Sequence, residues 1–533
     1  MAVPDRHRWL ILAVLCVSLL VVSLDNTILN VALPTIVRAM NATSSDLQWI
    51  VDAYAIVFAG LLLVAGSLGD RLGRKSVFLA GLAIFAAGSA NSAFSATPDR
   101  LIAARAFMGI GAAAIMPSTL SILTNVFTNS RDRAKAIGIW SGTTGLGVAA
   151  GPVIGGWLLA HYWWGSVFLV NVPIALGGLL AAIWLVPNSK NPASRPPDLV
   201  GGGLSILGLG LLLWGIIEAP QRSWTSPLVL GTLGVAAVVL VGFVLWERYS
   251  THPMLELSFF SSRRFSAAMG GMGLVIFALM GGLFLLTQYL QFSLGYTALQ
   301  TGLRIAPIAA VLLVAAPLSS VLVRFVGTKP IVFTGMGLIA LGFGALSQAT
   351  VRSTYVDVLP AFFLMGVGTG LAFAPCTESV MGSLPLDQAG VGAATNSAAL
   401  QIGGALGVGV LGSLLNTRYE SQMAPALARQ VIPSSVRDLI TGSLGGALGV
   451  AEHVGGRLGA ELADAGRHAF VSGMDLAVTV GAVVVGVAAL VVFALLPNRG
   501  APTPKPGVTG EPGAGQVSPQ ESDRSGVRTS KLS

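Results

Sequence analysis

Charge is what this sequence has least of. Asp, Glu, Lys and Arg make up 10% of its 533 residues, where a soluble domain carries about 25%, so a water-soluble globule is excluded. Cysteine is nearly absent: Cys16 and Cys376 both lie inside apolar runs, which leaves no disulfide frame and no thiolate metal site. The five histidines, at 7, 161, 252, 453 and 468, are scattered and distant from the acids inside apolar segments, so a clustered metal centre is excluded too. No Lys follows a Gly, which removes the phosphate loop that an ATP-driven pump needs. No filter loop of a channel is visible. No enzyme chemistry and no cofactor are expected.

Hydrophobic residues are abundant, at 53%, and they fall into fourteen apolar windows of about 20 residues, the length that spans a bilayer. The first six run approximately 9–31, 47–68, 77–97, 100–122, 137–160 and 167–187, followed by two at 199–219 and 227–247. The last six lie at 265–292, 300–323, 329–350, 356–380, 395–416 and 474–496. The first run follows Arg6 and Arg8 as a signal peptide would, but it has no small-residue cleavage site and is long enough to span, so it reads as an uncleaved helix. The fold class is an all-α polytopic membrane protein in contact with the lipid bilayer.

The formal net charge of +8 does not point to nucleic acid, because the cations sit in short loops between spans, as orientation signals do. With the N-terminus inside, 20 of the 31 Lys and Arg face the cytoplasm, while the short outer loops hold only Arg38, Arg100, Arg222 and Arg352. An even number of spans then leaves both termini cytoplasmic. Segment 417–473 reads either as a helical hairpin or interfacial helices, or as a flexible loop. The Gly/Pro/Ser/Thr-rich tail reads as disordered. The expected organisation is a cytoplasmic N-terminus (1–8), a six-helix half (9–187), a linker with two additional helices (188–255), a second half (256–497) containing 417–473 as a long external loop, and a cytoplasmic tail (498–533). Arg outnumbers Lys 25 to 6, a bias of GC-rich bacterial genomes.

The halves echo one another. "SLGDRLGRKSVFLAG" (67–81) is matched by "VLVRFVGTKPIVFTG" (321–335), and "MGIGAAAIMP" (108–117) by "MGVGTGLAFAP" (365–375). The offsets are 254 and 257 residues. Two same-direction six-helix halves are a recurring transporter plan.

Three stretches narrow the class. After span 2 comes Gly66-Ser-Leu-Gly-Asp70-Arg71-Leu-Gly73-Arg74-Lys75, a tight turn in which Gly73 permits close backbone approach and Asp70 can face a helix N-terminus. Span 4 carries Arg105 followed by Gly109 and Gly111. Span 5 places Gly138, Gly147, Gly151, Pro152, Gly155 and Gly156 in register, where the glycines allow close helix packing and Pro152 removes a backbone donor. The first stretch resembles the loop signature of the major facilitator superfamily; its degenerate echo has Arg324 where Asp70 stands. The second is similar to the family's intramembrane arginine motif, and the third resembles the antiporter signature of proton-driven exporters. With fourteen spans and "LDNTILNVALP" on the first, the chain is similar over approximately 9–497 to the fourteen-helix drug:proton antiporters of the QacA/EmrB type.

Asp25 sits inside span 1, six residues before its outer end; at a helix centre in lipid a carboxylate costs about 2.5–3.5 kcal/mol on insertion scales. Asp25, Asp52 and Arg105 all fall about 8–9 Å below the outer ends of their spans at 1.5 Å per residue. Grouped around one cavity they satisfy one another. Burial raises a carboxyl pKa and a nearby cation lowers it, so a site that alternates between two cavities alternates in proton affinity, and a lipophilic cation competes with the proton. The resemblance gives Asp25 and Asp52 roles in substrate and proton binding and Arg105 a role in coupling. The bland alternatives are an Asp25 that merely locks Arg105 and an interfacial Asp52. Glu378, near the inner end of span 12, reads as a second protonation site or as a headgroup-level acid. Arg304 has no nominated partner, and Glu218 and Asp475 read as interfacial. Gln288, Gln291, Asn396 and Gln401 are candidates for the cavity or for interhelical packing, and Trp49, Tyr54, Phe58 and Phe284 for its apolar wall or, more commonly for such residues, for ordinary bundle packing.

The expected function is proton-driven efflux of lipophilic, cationic drugs from a bacterial inner membrane, by a chain that works as a monomer. The competing readings are an exporter of an endogenous antibiotic, lipid or metabolite, and a sensor or lipid-binding scaffold that does not transport.

Overall fold

The computed structural model describes residues 5–190, 197–251, 253–384, 389–427 and 433–497. The tail expected to be disordered, 498–533, lies outside the described residues. Among those residues, fourteen helices are long and apolar enough to cross a membrane.

The first half consists of α1 (Asp5–Met40), α2 (Ser44–Leu72), α3 (Arg74–Ala93), α4 (Pro98–Val126), α5 (Ser130–His161), the single turn α6 (Ser166–Leu169) and α7 (Asn171–Leu185). The additional pair is α8 (Leu199–Arg222) and α9 (Pro227–Tyr249). The second half holds α10 (Arg263–Gln288), which ends in a π turn over Tyr289–Ser293, then α11 (Ala298–Val326), α12 (Thr328–Leu346), α13 (Tyr355–Met381), α14 (Ala389–Leu427) and α17 (Gly456–Leu495). Between the last two lie α15 (Ser434–Gly442) and α16 (Leu444–Val454). Below, the Arg38 end is the end of the bundle where α1 meets α2, and the Lys75 end is where α2 meets α3.

Several helices outrun their apolar windows. The first, expected over 9–31, continues through Pro34 to Met40. An internal proline forfeits one hydrogen bond, which a packed membrane helix tolerates. Segment 417–473 is not an extended loop: its described residues form the end of α14, then α15, α16 and the start of α17.

The repeat holds down to single contacts. Thr43 and Thr297 each close a capping box, with Asp46 and Gln300, at the heads of α2 and α11. At the heads of α4 and α13, Thr97 Oγ1 accepts from the Arg100 N–H and the Thr354 N–H donates to the Asp357 carboxylate. Each of these satisfies orphan N–H groups that would otherwise face lipid or protein. Gly73 and Gly327 take φ of 117° and 96° between α2 and α3 and between α11 and α12, a region that only glycine enters without strain. A Cβ on Gly109 would meet the Tyr54 carbonyl oxygen at 2.7 Å, and one on Gly366 would meet that of Ile308 at 2.8 Å. The offsets, 254 and 257 residues, are those read from the sequence.

The halves meet along α2 against α14 and α5 against α11. At the α5–α11 crossing, a Cβ on Gly156 would lie 2.7 Å from the Ala298 carbonyl oxygen and 2.8 Å from Leu299 Cα. Further along α5 toward the Lys75 end, Gly138, Gly142 and Gly145 have open space within 4 Å of a built Cβ. The halves are therefore pressed together toward the Arg38 end and part along α5 toward the other. The α8–α9 pair stands beside them, with α8 touching both α2 and α14.

Candidate functional site

Asp25 and Arg105 form a fully buried ion pair between α1 and α4. Arg105 Nη1 donates to Asp25 Oδ2 at 2.5 Å, with the side chains 1% and 0% exposed. The rest of the guanidinium is also occupied. Nε donates to the Ile50 carbonyl at 3.0 Å, and the group lies 4.3 Å from the centroid of the Tyr54 ring. The second oxygen of Asp25 accepts from Asn171 Nδ2 at 3.1 Å. Asn171 opens α7 and is completely buried. Sequence reasoning missed it, because an Asn beside "VPIAL" looks like a helix start and nothing local links it to a residue 146 positions away. Asn171→Ala removes one hydrogen bond to a charged acceptor, and a loss of about 1.5–3 kcal/mol follows. A melting curve of the purified variant measures it.

Asp52 is not the third member of this group. It is equally buried, yet neither carboxylate oxygen has a hydrogen-bond partner. Helix geometry separates the two sites: Ile50 and Tyr54, four residues apart, face Arg105, whereas Gln48 and Asp52 face α14. Gln48 Nε2 donates to the carbonyls of Val408 and Gly409 at 3.2 and 3.1 Å. A Cβ on Gly409 would sit 3.4 Å from Asp52 Oδ2. The carboxyl of Asp52 is thus pressed into the seam between the halves, without a counter-ion.

A small cavity opens beside Arg105. It is lined by Asn26, Asn30, Arg105, Gln401, Gly404 and neighbouring apolar residues of α1, α2, α10 and α14, with a volume of about 30 Å³. That is room for a water or two, not for a drug. Gln401 lines it as the sequence suggested. Gln288 bonds its own helix at the Phe284 carbonyl, and Gln291 Nε2 reaches the Val31 carbonyl of α1 at 2.9 Å. Asn396 is buried, and its Oδ1 has no partner. The four aromatics take the bundle-packing reading: Phe58 and Phe284 are core residues, 0% and 1% exposed, Tyr54 serves Arg105, and Trp49 packs against the cluster of Ala55, Ile56, Leu213, Ile217 and Ala405.

Glu378 lies apart. It is exposed on α13, and Oε1 accepts from Ser320 Oγ at 2.9 Å. Arg304 finds partners that the sequence did not nominate: it lies 3.9 Å from the Tyr296 ring centroid and 5.4 Å from that of Tyr355.

The loop motif works as a clamp at the Lys75 end. Arg74 Nε donates to Asp70 at 2.8 Å and Arg74 Nη1 to the Ser121 carbonyl at 3.2 Å, which joins α2, α3 and α4. Lys75 Nζ donates to the Ile183 carbonyl of α7 at 2.7 Å. Gly66 faces Pro117, and Arg71 is exposed.

The span-5 motif divides its work. Built Cβ atoms on Gly147 and Gly155 would lie 2.6 Å from Ser23 Cβ and from Ile28 Cγ1. One on Gly151 would meet Thr27 Cβ at 3.0 Å. These glycines seat α5 on α1 one turn from Asp25. Gly156 and Pro152 face α11 instead, and Gly138 faces open space. Gly151→Val inserts three methyl-sized groups into this crossing. A destabilisation of about 1–3 kcal/mol, read as a lower melting temperature, is expected, whereas Gly138→Ala meets no neighbour and raises the melting temperature slightly through helix propensity.

Two six-helix repeats with polar groups buried between them define a transporter of the alternating two-half type. The chain matches the Major Facilitator Superfamily model over residues 15–408, and it belongs to that family. It is 34% identical over 493 residues to the multidrug efflux pump LfrA of Mycolicibacterium smegmatis, covering 92% of this chain and 96% of the relative. It is 34% identical over 493 residues to the tetracenomycin C resistance and export protein of Streptomyces glaucescens, covering 91% of each. To the methyl viologen resistance protein SmvA of Salmonella typhimurium it is 30% identical over 467 residues, 87% of this chain and 93% of that one. Among solved structures, a bacterial homologue of the human lysosomal transporter Spinster superposes with a TM-score of 0.65 at 16% identity, covering 94% of this chain and 100% of that one. The chain is a multi-pass protein of the bacterial inner membrane.

Proposed function

We propose that this protein exports lipophilic, cationic compounds across the bacterial inner membrane in exchange for protons, with the Lys75 end cytoplasmic and both termini inside. The observation that carries the coupling is the contrast between two buried carboxyls. Asp25 is held by Arg105 and Asn171, a pair whose charges balance in place. Asp52 has no partner in the closed seam, and a buried charge without one is held only at a cost of several kcal/mol. It carries a proton while the seam is shut. A lipophilic cation that enters from the Lys75 end parts α14 from α2, supplies the missing counter-charge, and the proton leaves to the cytoplasm. When the halves rock the other way, a proton from outside returns to Asp52 and the cation is released there. The names of LfrA and SmvA, a multidrug efflux pump and a methyl viologen resistance protein, support this substrate class.

The test is ethidium efflux from loaded cells that produce the protein. Efflux that stops on addition of a protonophore is the expected result, and efflux indifferent to the protonophore sinks the proton-coupled reading. The tetracenomycin C resistance and export protein supports a second reading, export of an endogenous antibiotic. No ethidium efflux at all, with transport of tetracenomycin C instead, favours that one.

A further inference from the structure

The two additional helices are not a passive insertion. Pro220 lies inside α8. A helical residue donates its N–H to the carbonyl four residues earlier, and proline has none, so the Ile216 carbonyl loses its intrahelical partner. Ser413 of α14 fills the vacancy: its Oγ donates to that oxygen at 2.7 Å. One residue on, the Ile217 carbonyl accepts from Ser45 of α2 at 3.4 Å, and Gln221 Nε2 donates to the same Ser45 hydroxyl at 3.0 Å. Trp224 Nε1 adds a bond to Thr417 of α14 at 3.2 Å. One helix therefore holds a hydroxyl from each half through adjacent carbonyls.

The same helix roofs the seam. Leu213 and Ile217, 1% and 0% exposed, pack with Ala55 and Ile56 of α2 and Ala405 of α14. A Cβ on Gly409 would meet Leu213 Cδ2 at 2.7 Å, Asp52 Oδ2 at 3.4 Å and Ile217 Cγ1 at 3.9 Å. The unpartnered carboxyl and the two α8 side chains thus converge on one glycine of α14.

We infer that α8 is a clasp: Ser45 and Ser413, gripping the carbonyls beside Pro220, hold α2 against α14 at the Arg38 end, so that Asp52 stays sealed from the bilayer and from the outer side. Ser413, Ser45 and Pro220 are positioning residues that set how readily the seam opens. This inference rests on the halves moving against one another, as proposed above.

Double electron–electron resonance between nitroxides at Asn41 and Ser421, both exposed at the Arg38 end, reads the seam in the full-length protein with Cys16 and Cys376 replaced by alanine. One hydrogen bond corresponds to a change of about fivefold in a two-state population. Ser413→Ala raises the long-distance, seam-open population about fivefold. Pro220→Ala returns an N–H to the Ile216 carbonyl, whose two lone pairs accept it alongside the Ser413 hydroxyl, so its effect is smaller than that of Ser413→Ala. Ser45→Ala, which removes the other hydroxyl, raises the open population as Ser413→Ala does, and the Ser45→Ala/Ser413→Ala variant opens the seam further than either single one. A distance distribution unchanged in Ser413→Ala and in the double variant overturns the clasp. Failure of the underlying reading looks different: wild type then keeps a single distance with ethidium present and absent, whatever the variants do.

Discussion

Replacing Asp52 by asparagine leaves the protein folded and abundant but uncouples it from the proton gradient. Asn matches the shape of the protonated acid and needs no counter-ion, so the seam against Gly409 keeps its packing. The variant can neither release a proton when substrate arrives nor take one up on the outer side. Membrane abundance and melting temperature are expected to match wild type, while protonophore-sensitive ethidium efflux falls to background. Asp52→Glu keeps the titratable group but adds a methylene where a built Cβ on Gly409 of α14 would already be 3.4 Å from the carboxylate. It retains coupling at a reduced rate. If Asp52→Asn exports ethidium against a gradient like wild type, the proton is carried elsewhere.

The second large effect falls on abundance. Asp25→Asn strands the Arg105 charge in a site where its remaining neighbours are the Ile50 carbonyl, the Met108 sulfur and aromatic faces. Breaking a buried pair from one side costs about 3–5 kcal/mol, enough to remove much of a membrane protein's stability. The double variant Asp25→Asn/Arg105→Gln leaves no orphaned charge, and it recovers both membrane level and proton-linked efflux. Full abundance in the double variant without coupling would instead make Asp25 the proton carrier.

These two outcomes differ because Asp25 of α1 is paired with Arg105 on one side of α2, while Asp52 faces α14 on the other without a partner, and that was partly legible in the sequence. The fourteen spans were readable because an uninterrupted apolar run of about 20 residues matches the hydrocarbon thickness of a bilayer and exceeds what a buried helix of a soluble core needs. The repeat was readable because the turn glycines Gly73 and Gly327 and the glycine-rich stretches at 108–117 and 365–375 recur at nearly fixed offsets. Helix ends were not: hydropathy marks where lipid stops, not where hydrogen bonding stops, so α1, α14 and α17 run past their windows. Depth alone grouped Asp25, Asp52 and Arg105, since all three lie at a similar level. Rotation around α2 separates them, as Ile50 and Tyr54 take one face and Gln48 and Asp52 the other, a periodicity present in the sequence but outweighed by depth. Asn171 and the Ser413–Ile216 bond had no local signal, because each joins residues more than a hundred positions apart.

The central claim, that Asp52 is the group whose proton is exchanged for substrate, is tested most directly by proton release on ethidium binding to purified protein in weakly buffered detergent. Wild type and the Asp25→Asn/Arg105→Gln variant should release protons as ethidium binds, and Asp52→Asn should bind without release. Undiminished release from Asp52→Asn, with none from the double variant, would contradict the account and move the coupling site to Asp25.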